Sequence, residues 1–150
     1  MSSTDLDSHD ILEWGSNFLL GYAPMDAVHE EFVNLLARLQ VAADTDILLV
    51  FRELAQHTRA HFDLENQWML STEFPARECH MDEHAAVIRS IEDVLELLEE
   101  GDFQVCRRLG SALTTWFPNH ADYLDSALAH WMCKSRLGGK PIVVRKNMRF

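Results

Sequence analysis

The chain of 150 residues has few of the residues that interrupt or staple a fold. Its three cysteines, Cys79, Cys106 and Cys133, are odd in number, far apart and without a CxxC pair, so neither a disulfide framework nor a thiolate metal site is expected. Six glycines and four prolines are too few for a collagenous or low-complexity chain, and 47% apolar with 25% charged residues is an ordinary globular composition. No apolar run approaches the roughly 20 residues that cross a bilayer. The start, Met1-Ser2-Ser3-Thr4-Asp5, lacks the basic and apolar segments of a signal peptide, and a cytoplasmic location is the expectation. Acidic residues are missing from one region only: all 24 Asp and Glu lie at or before Asp125, whereas six of the 13 Lys and Arg follow it. An acidic body repels phosphate backbones, so neither nucleic acid nor membrane is an expected partner.

Histidine is what the chain has in excess. Eight occur, at positions 9, 29, 57, 61, 80, 84, 120 and 130, several one helical turn apart. Strand-like alternation is absent from the first 133 residues, but the helical period of 3.6 recurs four times. Helix one, about residues 24–43, carries His29, Phe32, Val33, Leu36 and Leu39 on one stripe, with Pro24 in its first turn. Asp44 and Thr45 end it and offer a cap for helix two, about 46–71, whose stripe runs Ile47, Phe51, Leu54, Thr58, His61, Glu65, Trp68. Helix three, about 76–100, shows His80, His84, Val87, Ile91, Leu95 and Leu98 before Gly101 stops it. Helix four, about 102–132, has Asp102 as cap, shows Leu113, Trp116, Phe117, His120, Leu124 and Leu128, and is expected to kink or divide at Pro118. Short connections between long helices make this an all-α, up-down-up-down four-helix bundle over residues 1–137, with an apolar N-terminal arm over 1–23. Residues 138–150 form a basic C-terminal tail. It is expected to fold back on Glu92, Asp93, Glu96, Glu99 and Glu100, with docking to a protein partner as the alternative.

Each helix thus sets imidazole or carboxylate groups on the stripe that must face the core, where unpaired polar groups are costly. A metal satisfies them together. The set is His29; His61-x-x-x-Glu65; His80-x-x-x-His84; and His120 with Asp125. Spacing i, i+4 stacks two donors on one face. Five imidazoles and two carboxylates exceed the needs of one ion and fit two ions bridged by both carboxylates. Nitrogen-rich, thiolate-free ligation suits iron better than calcium or magnesium and leaves zinc and manganese open. His120 and Asp125 are five apart, about 140° off one helical face, so Pro118 or a local π-turn is needed to aim both inward. His57 reads as a residue behind the donors or at the solvent edge. His9 and His130 read as surface residues, and Cys79 as inert.

Over residues 12–132 these motifs resemble the hemerythrins, and more closely their bacterial branch, the bacteriohemerythrins. The Trp14 arm, Gly21, Met25-Asp26-x-x-His29, His61-x-x-x-Glu65, His80-x-x-x-His84 and Trp116-x-x-x-His120-x-x-x-x-Asp125 follow in the family's order. The chain departs from it at Met25 and Val28, where the family commonly has Ile and Gln; neither position is a ligand. The resemblance implies a non-haem di-iron site, one iron on His80, His84 and His120 and the other on His29 and His61. Glu65, Asp125 and an oxo or hydroxo group would bridge them. One coordination position then stays open for reversible binding of dioxygen, with Trp116 and Phe117 walling the pocket. Storage, delivery or sensing of the gas is the leading function, without enzymatic activity as its role. A di-iron enzyme acting on dioxygen, peroxide or nitric oxide, or an iron or redox sensor, is the alternative.

Overall fold

The computed structural model describes residues 11–137; the basic tail, its expected docking and the first ten residues lie outside them. Four long helices form the body: α1 (Ala23–Val41), α2 (Ile47–Ser71), α3 (Arg77–Glu99) and α4 (Phe103–His120). α4 is continued by a π-helical turn (Ala121–Asp125) and a short α5 (Ser126–Met132), then by a second π-helical turn (Cys133–Leu137). The short connections make successive helices antiparallel, and α1 packs on α2, α2 on α3, α3 on α4 and α4 on α1, which closes the bundle. No helix among the described residues is long and apolar enough to cross a membrane.

The local chemistry of the helix ends departs from expectation in two places. Asp44 and Thr45 do not cap α2, whose first turn follows Asp46 without any side-chain cap. Asp44 instead accepts a hydrogen bond at 2.6 Å from Arg107, which also donates to the Ala42 carbonyl at 3.0 Å, tying the α1–α2 connection to α4. Nor does Pro118 divide the last helix: α4 runs through it to His120, and the interruption is the π-helical turn just beyond. Asp102 caps α4 as expected, accepting from the Val105 amide at 3.1 Å. Gly101 ends α3 with φ +99°, letting its own amide reach the Leu98 carbonyl and the Asp102 amide reach that of Leu97. Glu73 closes α2 by the same pattern at φ 57°, a left-handed conformation that costs a non-glycine residue about 1–2 kcal/mol.

At the N-terminus, Asp26 plays the capping role from inside α1. Its carboxylate accepts from the amides of Leu20 and Gly21, at 2.8 and 3.1 Å, and so fixes how the arm enters the bundle. The described part of the arm lies against the body: Leu12, Trp14 and Phe18 pack on the core, Trp14 stacked on Phe18 and Phe18 against Phe117.

The interior has two apolar clusters. The larger contains Phe32, Leu36, Phe51, Leu54, Phe62, Ile91, Leu113 and Phe117, and the smaller Tyr22, Met25, Trp68, Met69, Phe74, Leu128 and Met132. On every helix the chain passes from one to the other through a polar residue: His29 between Met25 and Phe32, His61 and Glu65 ahead of Trp68, His80 and His84 after Phe74, His120 and Asp125 between Phe117 and Leu128. A polar layer therefore crosses the bundle between two apolar cores.

Candidate metal centre

All seven residues of that layer are buried, none more than 4% exposed. α1 contributes His29, α2 His61 and Glu65, α3 His80 and His84, and the end of α4 with its π-helical turn His120 and Asp125. The i, i+4 pairs come from regular helix, one turn apart. The last pair needs more: five α-helical steps would leave Asp125 about 140° from His120, and the wider turn at Ala121–Asp125 absorbs one residue, so that five steps count as about four.

The two carboxylates divide their oxygens. Glu65 Oε2 lies 3.1 Å from His29 Nε2 and 2.9 Å from His61 Nε2, while its Oε1 lies 3.2 Å from His84 Nε2 and 3.7 Å from His80 Nε2. Asp125 Oδ2 lies 3.2 Å from His29 Nε2, while its Oδ1 lies 2.9 Å from His80 Nε2 and 3.2 Å from His120 Nε2. One oxygen of each thus faces a two-histidine half (His29, His61) and the other a three-histidine half (His80, His84, His120). In each half the donors Glu65, His80, His84, His120 and Asp125, or His29, His61 and Glu65, lie within 4.8 Å of one another.

Close approach makes only two of these contacts hydrogen bonds, those that His29 and His61 donate from Nε2 to Glu65 Oε2. The Nε2 atoms of His80, His84 and His120, Glu65 Oε1 and both Asp125 oxygens are buried without an aligned hydrogen bond. Such orphans are expensive in a protein interior. A cation in each half would satisfy them, so the residues fit a metal. The outward ring nitrogens agree. His84 Nδ1 donates to Asn66 Oδ1 at 2.8 Å and His120 Nδ1 to Glu83 Oε1 at 2.9 Å, which fixes their tautomers and leaves the Nε2 lone pairs turned to the cluster.

Electrostatics within the layer is strongly coupled. Burial would raise Glu65 and Asp125, and the Asp125 charge would raise Glu65 further, but the surrounding imidazoles win and hold both carboxyls well below the usual range. Burial opposes protonation of His29, yet Asp125 and Glu65 outweigh it and lift this imidazole to about 10. His120 is likewise raised against its burial, by Asp125 and Glu83. For His84 burial prevails and lowers it.

Aromatic rings enclose the layer, and the two expected to wall one pocket lie on different sides. Phe117, fully buried, meets His29 edge-on at 5.2 Å and packs on Phe32, which in turn faces His61. Trp116, half-buried, stacks on His120 at 4.3 Å and donates from its indole to Glu83 at 3.2 Å. Phe62 stacks flat on His84 with centroids 4.0 Å apart. His57 stays behind the layer, half-buried, bonded through Nε2 to the Val28 carbonyl at 3.1 Å and lowered by burial and by His61. His130 and Cys79 are exposed. Burial raises the Cys106 thiol to about 11 and also raises Cys133, so neither is a ready nucleophile.

Sequence reading missed Phe62, Asn66 and Glu83, each next in sequence to a donor. One residue on a helix is about 100°, which puts a neighbour at the rim of the site, where it can reach a ligand of an adjacent helix. Adjacency to a donor was the available signal.

The comparisons with known proteins point to one family. A family model described as the hemerythrin HHE cation binding domain matches residues 20–131. The chain is similar to a bacteriohemerythrin of Ralstonia nicotianae (strain ATCC BAA-1114 / GMI1000), 32% identical over 124 residues, which covers 83% of this chain and 90% of the relative. It is also similar to a bacteriohemerythrin of Stenotrophomonas maltophilia (strain R551-3), 24% identical over 123 residues, covering 79% and 80%. No solved structure matches it significantly. With a polar layer of five histidines and two carboxylates inside a four-helix bundle, and a family model that spans most of its length, the chain belongs to the hemerythrin family.

Proposed function

We propose that this chain holds two non-haem iron ions and binds dioxygen reversibly, for storage, delivery or sensing, rather than acting as an enzyme. The observation that carries the reading is the division of carboxylate oxygens: Glu65 and Asp125 each offer one oxygen to the three-histidine half and one to the two-histidine half. That is how carboxylates bridge paired ions. His80, His84 and His120 would hold one iron and His29 and His61 the other, with the bridges shared. Bound there, an iron pair supplies the two electrons that dioxygen takes up on binding and returns on release.

The protein's own part is positioning and exclusion. The half with fewer histidines would leave its ion one protein donor short of the other, and it is the half that Phe117 and Phe32 enclose. An apolar wall keeps water and protons from reaching that face, the condition for releasing the gas unchanged. The donor set points the same way: carboxylate-rich di-iron sites favour cleavage of the O–O bond, and five imidazoles against two carboxylates do not.

The test is elemental analysis after expression in iron-replete medium, then anaerobic reduction and exposure to air under visible absorption. Two irons per chain, and a band that forms in air and disappears when oxygen is removed, are expected. One zinc and no iron would overturn the di-iron reading. Irreversible bleaching with turnover of a reductant would replace binding by oxidase chemistry.

A further inference from the structure

Among the five histidines of the layer, the outward ring nitrogens are treated unequally. Those of His29, His61 and His80 have no hydrogen-bond partner among the described residues. His84 meets the neutral amide of Asn66. Only His120 meets an anion, the Glu83 carboxylate, and the same oxygen also accepts from the Trp116 indole stacked on the His120 ring. Glu83 sits on α3, one residue before His84, and reaches across to α4 at the rim of the bundle, where its side chain is 42% exposed. It borders a surface cleft with Trp116, Asn119, His120, Tyr123 and Leu124.

A carboxylate that accepts the Nδ1 proton makes an imidazole a stronger donor through Nε2, and a stronger donor stabilises the more oxidised metal. We propose that Glu83 is a positioning residue that sets the donor strength of His120, and thereby lowers the reduction potential of the three-histidine half. Trp116 has a different part: its indole holds the Glu83 oxygen in place and covers the imidazole face. The effect belongs to the charge, not to the packing, because Glu83 is partly exposed and a glutamine in its place keeps the shape and an oxygen acceptor.

The inference rests on the iron-binding reading, and two probes separate them. Cobalt(II) titration of the metal-free full chain, followed by visible absorption, works whether or not the chain takes iron. Glu83→Gln is expected to weaken cobalt binding about tenfold. In the iron-loaded protein, a mediated redox titration is expected to show a higher potential for Glu83→Gln. Asn66→Asp, which gives His84 an anionic partner of the same size, is expected to shift it downward and does not depend on the fold of the first variant. Asp82→Asn, which removes an exposed charge on α3 that bonds none of the metal-facing residues, is expected to leave it near the wild-type value. Equal cobalt affinity in Glu83→Gln and wild type, or Asp82→Asn moving the potential as far as Glu83→Gln, would overturn the assignment. A chain that binds cobalt but no iron would overturn the iron reading, with the cobalt comparison still deciding the role of Glu83.

Discussion

The two halves of the polar layer share both carboxylates but are supported in opposite ways. On the three-histidine side, two of the rings are anchored outward by polar groups, His84 by Asn66 and His120 by Glu83, and covered by buried Phe62 and by half-buried Trp116 at the rim. On the two-histidine side neither outward nitrogen has a partner among the described residues, and the rings are held by fully buried Phe32 and Phe117. The first half is fixed by directional bonds and lies near water. The second lacks outward bonds, its rings held by packing and by their inward bonds to Glu65, and lies in the dry part of the bundle. A site that must hold metal on one side and keep a position free on the other needs this division: hydrogen bonds orient ligands, and apolar contact excludes competing donors.

The comparison can be broken most severely at what the halves share. Glu65→Ala and Asp125→Ala each remove an oxygen from both halves, so each is expected to abolish the paired site; iron per chain, by elemental analysis, should fall from two to one or none. Retention of both ions in either variant would mean that the carboxylates do not bridge.

Next in size is the apolar wall. Phe117→Ala leaves a void among Phe18, Phe32 and His29 and should cost about 3–5 kcal/mol in urea unfolding. Trp116→Ala, at the half-exposed position, should cost clearly less. Phe117→Ala should also speed loss of the oxygenated spectrum more than Trp116→Ala does. Equal effects would show that the halves are enclosed alike.

Asn66→Ala tests the polar support. His84 would lose its outward acceptor, and metal retention against a chelator should fall about tenfold with little change in fold stability. His57→Ala is expected to do least: its ring bonds the Val28 carbonyl behind the layer, so metal content should not change. Loss of iron in that variant would make His57 a ligand.

Much of this was legible in the sequence because the informative residues obey the helical period. The four helices announce themselves by stripes three and four residues apart, and six of the seven polar residues lie on those stripes, where burial demands a partner; Asp125 joins them only through the wider turn at Ala121–Asp125. What escaped depends on contacts between helices. Glu83 and Asn66 look like solvated residues on their own helices and acquire meaning only from His120 and His84 on neighbouring ones. Trp116 and Phe117, adjacent in sequence, were grouped together, yet the helical rotation of about 100° between them sends one to the rim and the other to the interior. Asp44 was read as a cap by residue type, but Arg107, brought close only by the closed bundle, claims it instead.

The widened turn at Ala121–Asp125 makes chain length itself a functional property of this segment. Ahead of it, Leu113, Phe117 and His120 keep one phase; behind it, Asp125, Leu128 and Met132 keep the same inward direction only because one residue is taken up in between. Most substitutions there would leave that phase intact. Deleting any one residue from 121 to 124 would either close the turn to an ordinary helix, with Asp125 still in step, or keep it wide and rotate everything beyond by about 100°. Insertion has no such escape, since a second extra residue would turn Asp125, Leu128 and Met132 away from the interior together. This stretch should therefore tolerate changes of residue far better than gains of length.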